Sequence, residues 1–157
     1  MSSAALPTPA RKAWRSVSND EAPPPQGDYV PAVLHAGIVY TAGMTPRRKG
    51  VLQMAGTVGA DLDVETAYRA AGLAARNAVA AVRSVRPDGT GDIRCLQMTV
   101  YVACTADFTS LTAVADGATA VLTEVLGPGN TPARSAIGVA ALPSGAPVEV
   151  QLVAAVG

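Results

Sequence analysis

Between residues 93 and 103 the chain alternates. Leu96, Met98, Val100 and Val102 fall on one side of an extended segment, and Cys95, Gln97, Thr99 and Tyr101 on the other. That period of two predicts a long central strand with one aliphatic and one mixed polar side. Residues 29–33 and 38–41 read as two shorter strands joined at His35-Ala36-Gly37 into a hairpin, with Pro31 suited to an edge. Residues 134–140 put Ile137 and Val139 on one face and Arg134, Ala136 and Gly138 on the other. After a turn at Leu142-Pro143-Ser144-Gly145, residues 148–155 place Val148, Val150 and Leu152 on one side, Glu149 and Gln151 on the other.

A period near 3.6 takes over twice. Residues 64–85 carry Val64, Ala67, Ala71, Ala75, Ala78 and Val82 as one stripe, with Glu65, Arg69, Arg76 and Arg83 facing solvent. Asp63 is a suitable N-cap, and Pro87-Asp88-Gly89 a stop. Residues 108–126 repeat the pattern with Leu111, Val114, Ala118, Val121, Leu122 and Val125, capped by Asp107 and ended by Gly127. The predicted order is β-β-α-β-α-β-β, an α+β domain in which two helices cover one face of a sheet. The other face, with Thr99, Tyr101, Val153, Ala136 and Gly138, is too apolar to remain in water, so self-association is expected.

In this reading Arg134 and Glu149 share a polar side of the sheet. Their separation is less simple. A plain hairpin turning at Ser144 and Gly145 would set Arg134 near Ala155 and Glu149 opposite Ala140, about 20 Å apart. Either the connection is not a plain hairpin, or neighbouring chains complete each site.

Composition removes several function classes. The chain has 157 residues, enough for one domain (residues 28–157) behind a Pro/Ala-rich arm (residues 1–27) that carries Trp14. Twelve basic residues cancel twelve acidic ones, and aromatics amount to 4%, which leaves no electrostatic or stacking case for nucleic acid and none for an anionic membrane. The triplet Arg47-Arg48-Lys49 reads as a solvated loop tip within residues 45–61. No transmembrane span or leader is expected, and a cytoplasmic location follows. Cys95 and Cys104, about 30 Å apart on an extended strand, are read as separate packed thiols. One histidine, His35, sits in a turn and is expected to be exposed; no metal, nucleotide or other cofactor is expected.

The segment Pro132-Ala133-Arg134-Ser135, followed by Val148-Glu149-Val150, is more specific than either charge alone. With DYVPAV, VGADL and ARSAIGVAALP it resembles the reactive intermediate deaminase (Rid, or YjgF-like) family, in its arginine-containing, longer-armed branch. The resemblance spans residues 28–156. It implies a chorismate-mutase-like fold, a homotrimer with barrel-like inward sheets and sites in the clefts between subunits, and hydrolysis of 2-imino acids or enamines to 2-keto acids and ammonia. It also carries roles residue by residue. Tyr29 matches a tyrosine that closes the cleft, and Gly43 a glycine whose backbone approaches substrate. Asp116 stands where many members have asparagine, and Ala136 where cysteine is frequent.

The chemistry is consistent with those roles. Arg134 can hold a carboxylate through two parallel hydrogen bonds, and Glu149 can polarise water and pass protons to the departing nitrogen. Two other readings use the same residues. One is a non-catalytic trimer that binds small carboxylic acids. The other is a specialised enzyme for a larger imine or a ring-opened intermediate, with Ala136 and Met44 widening its pocket.

Overall fold

The computed structural model describes residues 22–86 and 91–157, so Trp14, most of the arm and the stop at 87–89 lie outside the described residues. The elements, in order, are β1 (Ala32–His35), β2 (Ile38–Thr41), β3 (Arg47–Arg48), β4 (Val51–Leu52), α1 (Val64–Ser84), β5 (Ile93–Ala103), α2 (Leu111–Leu126), β6 (Ala133–Val139) and β7 (Val148–Val156). Five strands form one sheet in the order β1-β2-β7-β5-β6, and β3 and β4 form a separate ribbon. Both helices lie on one face of the large sheet, α1 over β7 and β2, α2 over β5 and β6. The expected α+β architecture is therefore present.

The hairpin turn centres on Ala36 and Gly37, whose φ angles of 49° and 77° give the two-residue turn that matches strand twist. His35 is exposed there. Tyr29 to Pro31 precede β1 rather than belong to it, because pairing with β2 starts at Ala32.

Asp63 caps α1 as expected, its side chain accepting from the backbone N–H of Thr66 at 2.8 Å. Burial on α1 is much wider than one stripe, since α2 packs beside it as well as the sheet beneath. Small residues permit this. A side chain on Gly117 of α2 would collide with the backbone carbonyl of Tyr68 in α1. Arg76, expected to face solvent, reaches across to Glu124 at 3.2 Å. α2 starts later than expected, at Leu111 behind Ser110 rather than Asp107, because residues 105–108 form a separate turn closed by Phe108 N–H to Thr105 O at 3.1 Å.

β5 departs from simple alternation. A bulge between Cys95 and Gln97 inserts Leu96, so Cys95 turns into the core and Leu96 is exposed, the reverse of the sequence expectation. Asn130 supports the bulge. Its Oδ1 accepts from the Cys95 N–H at 2.8 Å, and its Nδ2 donates to the Leu126 carbonyl at 2.9 Å.

The largest correction concerns β6 and β7. They do not pair; β5 runs between them, parallel to β6 and antiparallel to β7. Arg134 stands beside Met98, and Ala136 beside Val100, both on the helix-covered side. Glu149 stands beside Tyr101, on the uncovered side. Arg134 and Glu149 of one chain thus point to opposite faces, and Ala136 and Gly138 leave the uncovered face as well. Val33, Tyr40, Leu96 and Ile137 remain exposed on that face. No helix of the described residues is long and apolar enough to cross a membrane.

Candidate functional site

β7 carries Glu149 to the rim of a cleft of about 250 Å³, lined by Gln26, Tyr29, Ala42, Gly43, Thr45, Arg47, Pro143 and Glu149. Gly43 is there because β2 continues past Thr41 to pair once more with β7. Met44 and Val150 exchange both backbone hydrogen bonds, at 2.8 and 2.9 Å. A Cβ on Gly43 would overlap Oε1 of Glu149. The φ of Gly43 is not positive, so its requirement is space alone. Glycine leaves the volume that the glutamate carboxyl fills.

That carboxyl is half-buried and has no hydrogen-bond partner among the described residues. Its pKa is raised above the ordinary 4.5 because burial strips water from the charged form. A carboxyl in this condition accepts and returns a proton more readily near neutral pH than an exposed one.

Tyr29 enters from the segment before β1. Its hydroxyl accepts from the Gln26 N–H at 3.1 Å, which curls this segment over the cleft.

Arg47 is the main residue that sequence reasoning missed. It is not a solvated tip but is 8% exposed, at the start of the β3–β4 ribbon. Its Nε donates to Thr45 Oγ1 at 3.1 Å, Nη1 to the Gly50 carbonyl at 2.9 Å, and Nη2 to Ser144 Oγ at 3.0 Å. It therefore ties the loop after β2 to the turn before β7, and both border Glu149. The fully buried Asn77 of α1 fastens the same loop, donating from Nδ2 to the carbonyls of Thr45 at 2.9 Å and Arg47 at 3.0 Å. A polar residue on an otherwise alanine-rich stripe was the available signal for Asn77. Arg47 gave none beyond its place in a basic triplet.

Arg134 belongs to a second cluster. From the edge strand β6, its Nη1 donates to Asp116 Oδ1 at 2.9 Å and to Thr119 Oγ1 at 2.9 Å, both on α2. Nε and Nη2 have no partner among the described residues, so the outer part of the guanidinium is open to a carboxylate. The Arg134 side chain is 20% exposed and that of Asp116 59%. Ala136 lies on the same face of β6, packed against the core. Met44 is buried at 5% in the core and is not among the residues lining the Glu149 cleft.

The predicted site residues thus form two groups. Tyr29, Gly43 and Glu149 meet in one cleft, while Arg134, Asp116 and Ala136 lie on the other side of the sheet. Among the described residues no three His, Cys, Asp or Glu side chains gather as metal ligands.

Comparison with known proteins bears on the same elements. The protein TCP17 of Trypanosoma cruzi is 32% identical over 127 residues, covering 80% of this chain and 79% of that protein. The crystal structure of Atu1372 from Agrobacterium tumefaciens, a protein of unknown function, superposes with a TM-score of 0.78 at 32% identity over 85% of each chain. The YjgF gene product of E. coli superposes with a TM-score of 0.62 at 25% identity, over 88% of this chain and 95% of that one. The family model described as Endoribonuclease L-PSP matches residues 19–156, from before the first strand to the end of β7. With that match over most of its length, the chain belongs to the endoribonuclease L-PSP family, the YjgF/Rid proteins.

Proposed function

We propose that this protein hydrolyses 2-imino acids, or their enamine tautomers, to 2-keto acids and ammonia. The observation that carries the reading is Glu149: a half-buried carboxyl with no hydrogen-bond partner among the described residues, its pKa raised, facing a cleft that Gly43 keeps open. Water adds to the C=N carbon while the carboxylate takes its proton. Starting from the protonated imine, the carboxyl returns that proton to the carbinolamine nitrogen and takes the hydroxyl proton as the C–N bond breaks. This leaves the ketone and releases ammonia, which carries the proton away as ammonium. One acid–base group suffices for each transfer, and such groups contribute about 10²–10⁴-fold.

Arg134 holds the substrate carboxylate on its open guanidinium edge. Since the two residues point to opposite faces of one sheet, a working site takes Arg134 from one copy and Glu149 from another. A closed homotrimer with sites between subunits fits this requirement and covers the exposed Val33, Tyr40, Leu96 and Ile137. An RNA substrate fits less well. The chain has zero net charge, and Arg69, Arg76 and Arg134 are each paired with a carboxylate.

A second reading, a carboxylate-binding protein without catalysis, rests on the open edge of Arg134 alone. Release of 2-keto acid from imino acids generated in situ by an amino-acid oxidase separates the two. Acceleration by wild type that is lost in Arg134→Ala and Glu149→Gln supports the hydrolase. Carboxylate binding that survives Glu149→Gln, with no acceleration by wild type, supports the binder.

A further inference from the structure

We infer that Asp116 sets the charge class of the ligand, selecting molecules with one carboxylate and one protonated nitrogen and rejecting dicarboxylates. This rests on the reading that Arg134 receives the ligand carboxylate. Asp116 Oδ1 holds Nη1 of Arg134 at 2.9 Å, yet the side chain is 59% exposed and its Oδ2 has no partner among the described residues. The carboxylate therefore does more than orient the arginine: it leaves a charged oxygen in the open beside the guanidinium. Thr119 accepts from the same Nη1 at 2.9 Å, leaving its hydroxyl proton to donate.

Arg134 and Asp116 together are electrically neutral. A lone arginine attracts every anion and favours the more highly charged one. A neutral pair behaves as a dipole, with an anion seat at the open guanidinium edge and a cation seat at Asp116 Oδ2. Two like charges a few ångströms apart repel, the more strongly as water is excluded from between them. A second carboxylate on the ligand meets that repulsion, whereas a protonated amino or imino nitrogen meets attraction. The reactive form so selected is the iminium zwitterion, in which the protonated nitrogen also makes the adjacent carbon more electrophilic.

Asp116→Asn is the informative variant, because the amide oxygen can still accept from Arg134 Nη1 while the charge is gone. Calorimetric titrations of wild type and Asp116→Asn use three stable probes: 2-aminobutanoate as zwitterion, 2-oxobutanoate as monoanion and 2-oxoglutarate as dianion. Wild type is expected to bind the zwitterion best and the dianion worst. In Asp116→Asn the dianion should gain on the order of tenfold relative to the zwitterion, about 1.4 kcal/mol. An unchanged ratio of dianion to zwitterion affinity in the variant overturns the inference. So does loss of all three together, which would make Asp116 only a support for Arg134. Binding that is the same in wild type and Arg134→Ala overturns it by a different route, since the failure is then that of the carboxylate seat itself.

Discussion

Arg134 and Glu149 flank the same central strand, beside Met98 and Tyr101 respectively, and point to opposite faces of the sheet. On the proposed reading, a site that uses both draws them from different copies. Co-expression of Arg134→Ala and Glu149→Gln chains tests this directly. Each variant alone is expected to be inactive, while a random equal mixture should regain activity at about one quarter of its sites, where an intact arginine meets an intact glutamate across an interface. A mixture as inactive as its components would show that the two residues do not cooperate in this way.

Gly43 and Glu149 are coupled by volume. Gly43→Ala must displace the glutamate carboxyl, the mobile end of a side chain, and does not oppose the backbone conformation. We expect imine hydrolysis to fall by about 10²-fold or more, as for loss of an acid–base group. The melting temperature should stay within a few degrees of wild type, roughly the effect of 1 kcal/mol or less. A crystal structure of the variant should show Glu149 in another rotamer. Full activity would remove Glu149 from the reaction.

The raised pKa of Glu149 has a sign that stability measurements can read. The native state holds the proton more tightly than the unfolded chain. No penalty exists below the ordinary value of 4.5, and a penalty develops as pH rises from there through the raised value. Arg134→Ala serves as background, so that no neighbouring guanidinium offsets the charge. Adding Glu149→Gln should then raise the melting temperature at pH 7 and leave it unchanged near pH 4. A constant difference across this range would mean that the carboxyl is not destabilised by burial.

Gly117 permits the close approach of the two helices. A methyl group there meets the backbone carbonyl of Tyr68, which cannot turn away as a side chain could. Gly117→Ala is expected to lose about 1–3 kcal/mol in denaturant unfolding, despite the better helix propensity of alanine. A stabilised variant would show that the helices separate at little cost.

The two thiols differ in environment. Cys95 is 3% exposed, and burial pushes its pKa up to about 11, whereas Cys104 is only partly buried. Iodoacetamide at pH 8 should alkylate Cys104 first and reach Cys95 only under denaturing conditions. Equal labelling of both in the native protein would contradict the buried placement that follows from the β5 bulge.

Local patterning by itself determined the elements: four of the five strands of the main sheet to within a residue or two, two helices, Asp63 as a cap, and the turn at Ala36-Gly37. These depend on neighbours in sequence, so period and capping chemistry suffice to read them. The motif around Arg134 and Glu149 pointed to a family that the comparisons place the chain in. Only the tertiary structure decided how the two residues are related. Period-two alternation says which residues of a strand share a side, but not which side of one strand joins which side of another. That depends on pairing, and β5 lies between β6 and β7. The bulge at Leu96 inverted two side chains for the same reason: one extra residue exchanges the faces, and its position is set by partners on other strands. Arg47 and Asn77 acquire their roles from contacts 97 and 32 residues away in sequence, distances over which no local pattern carries information.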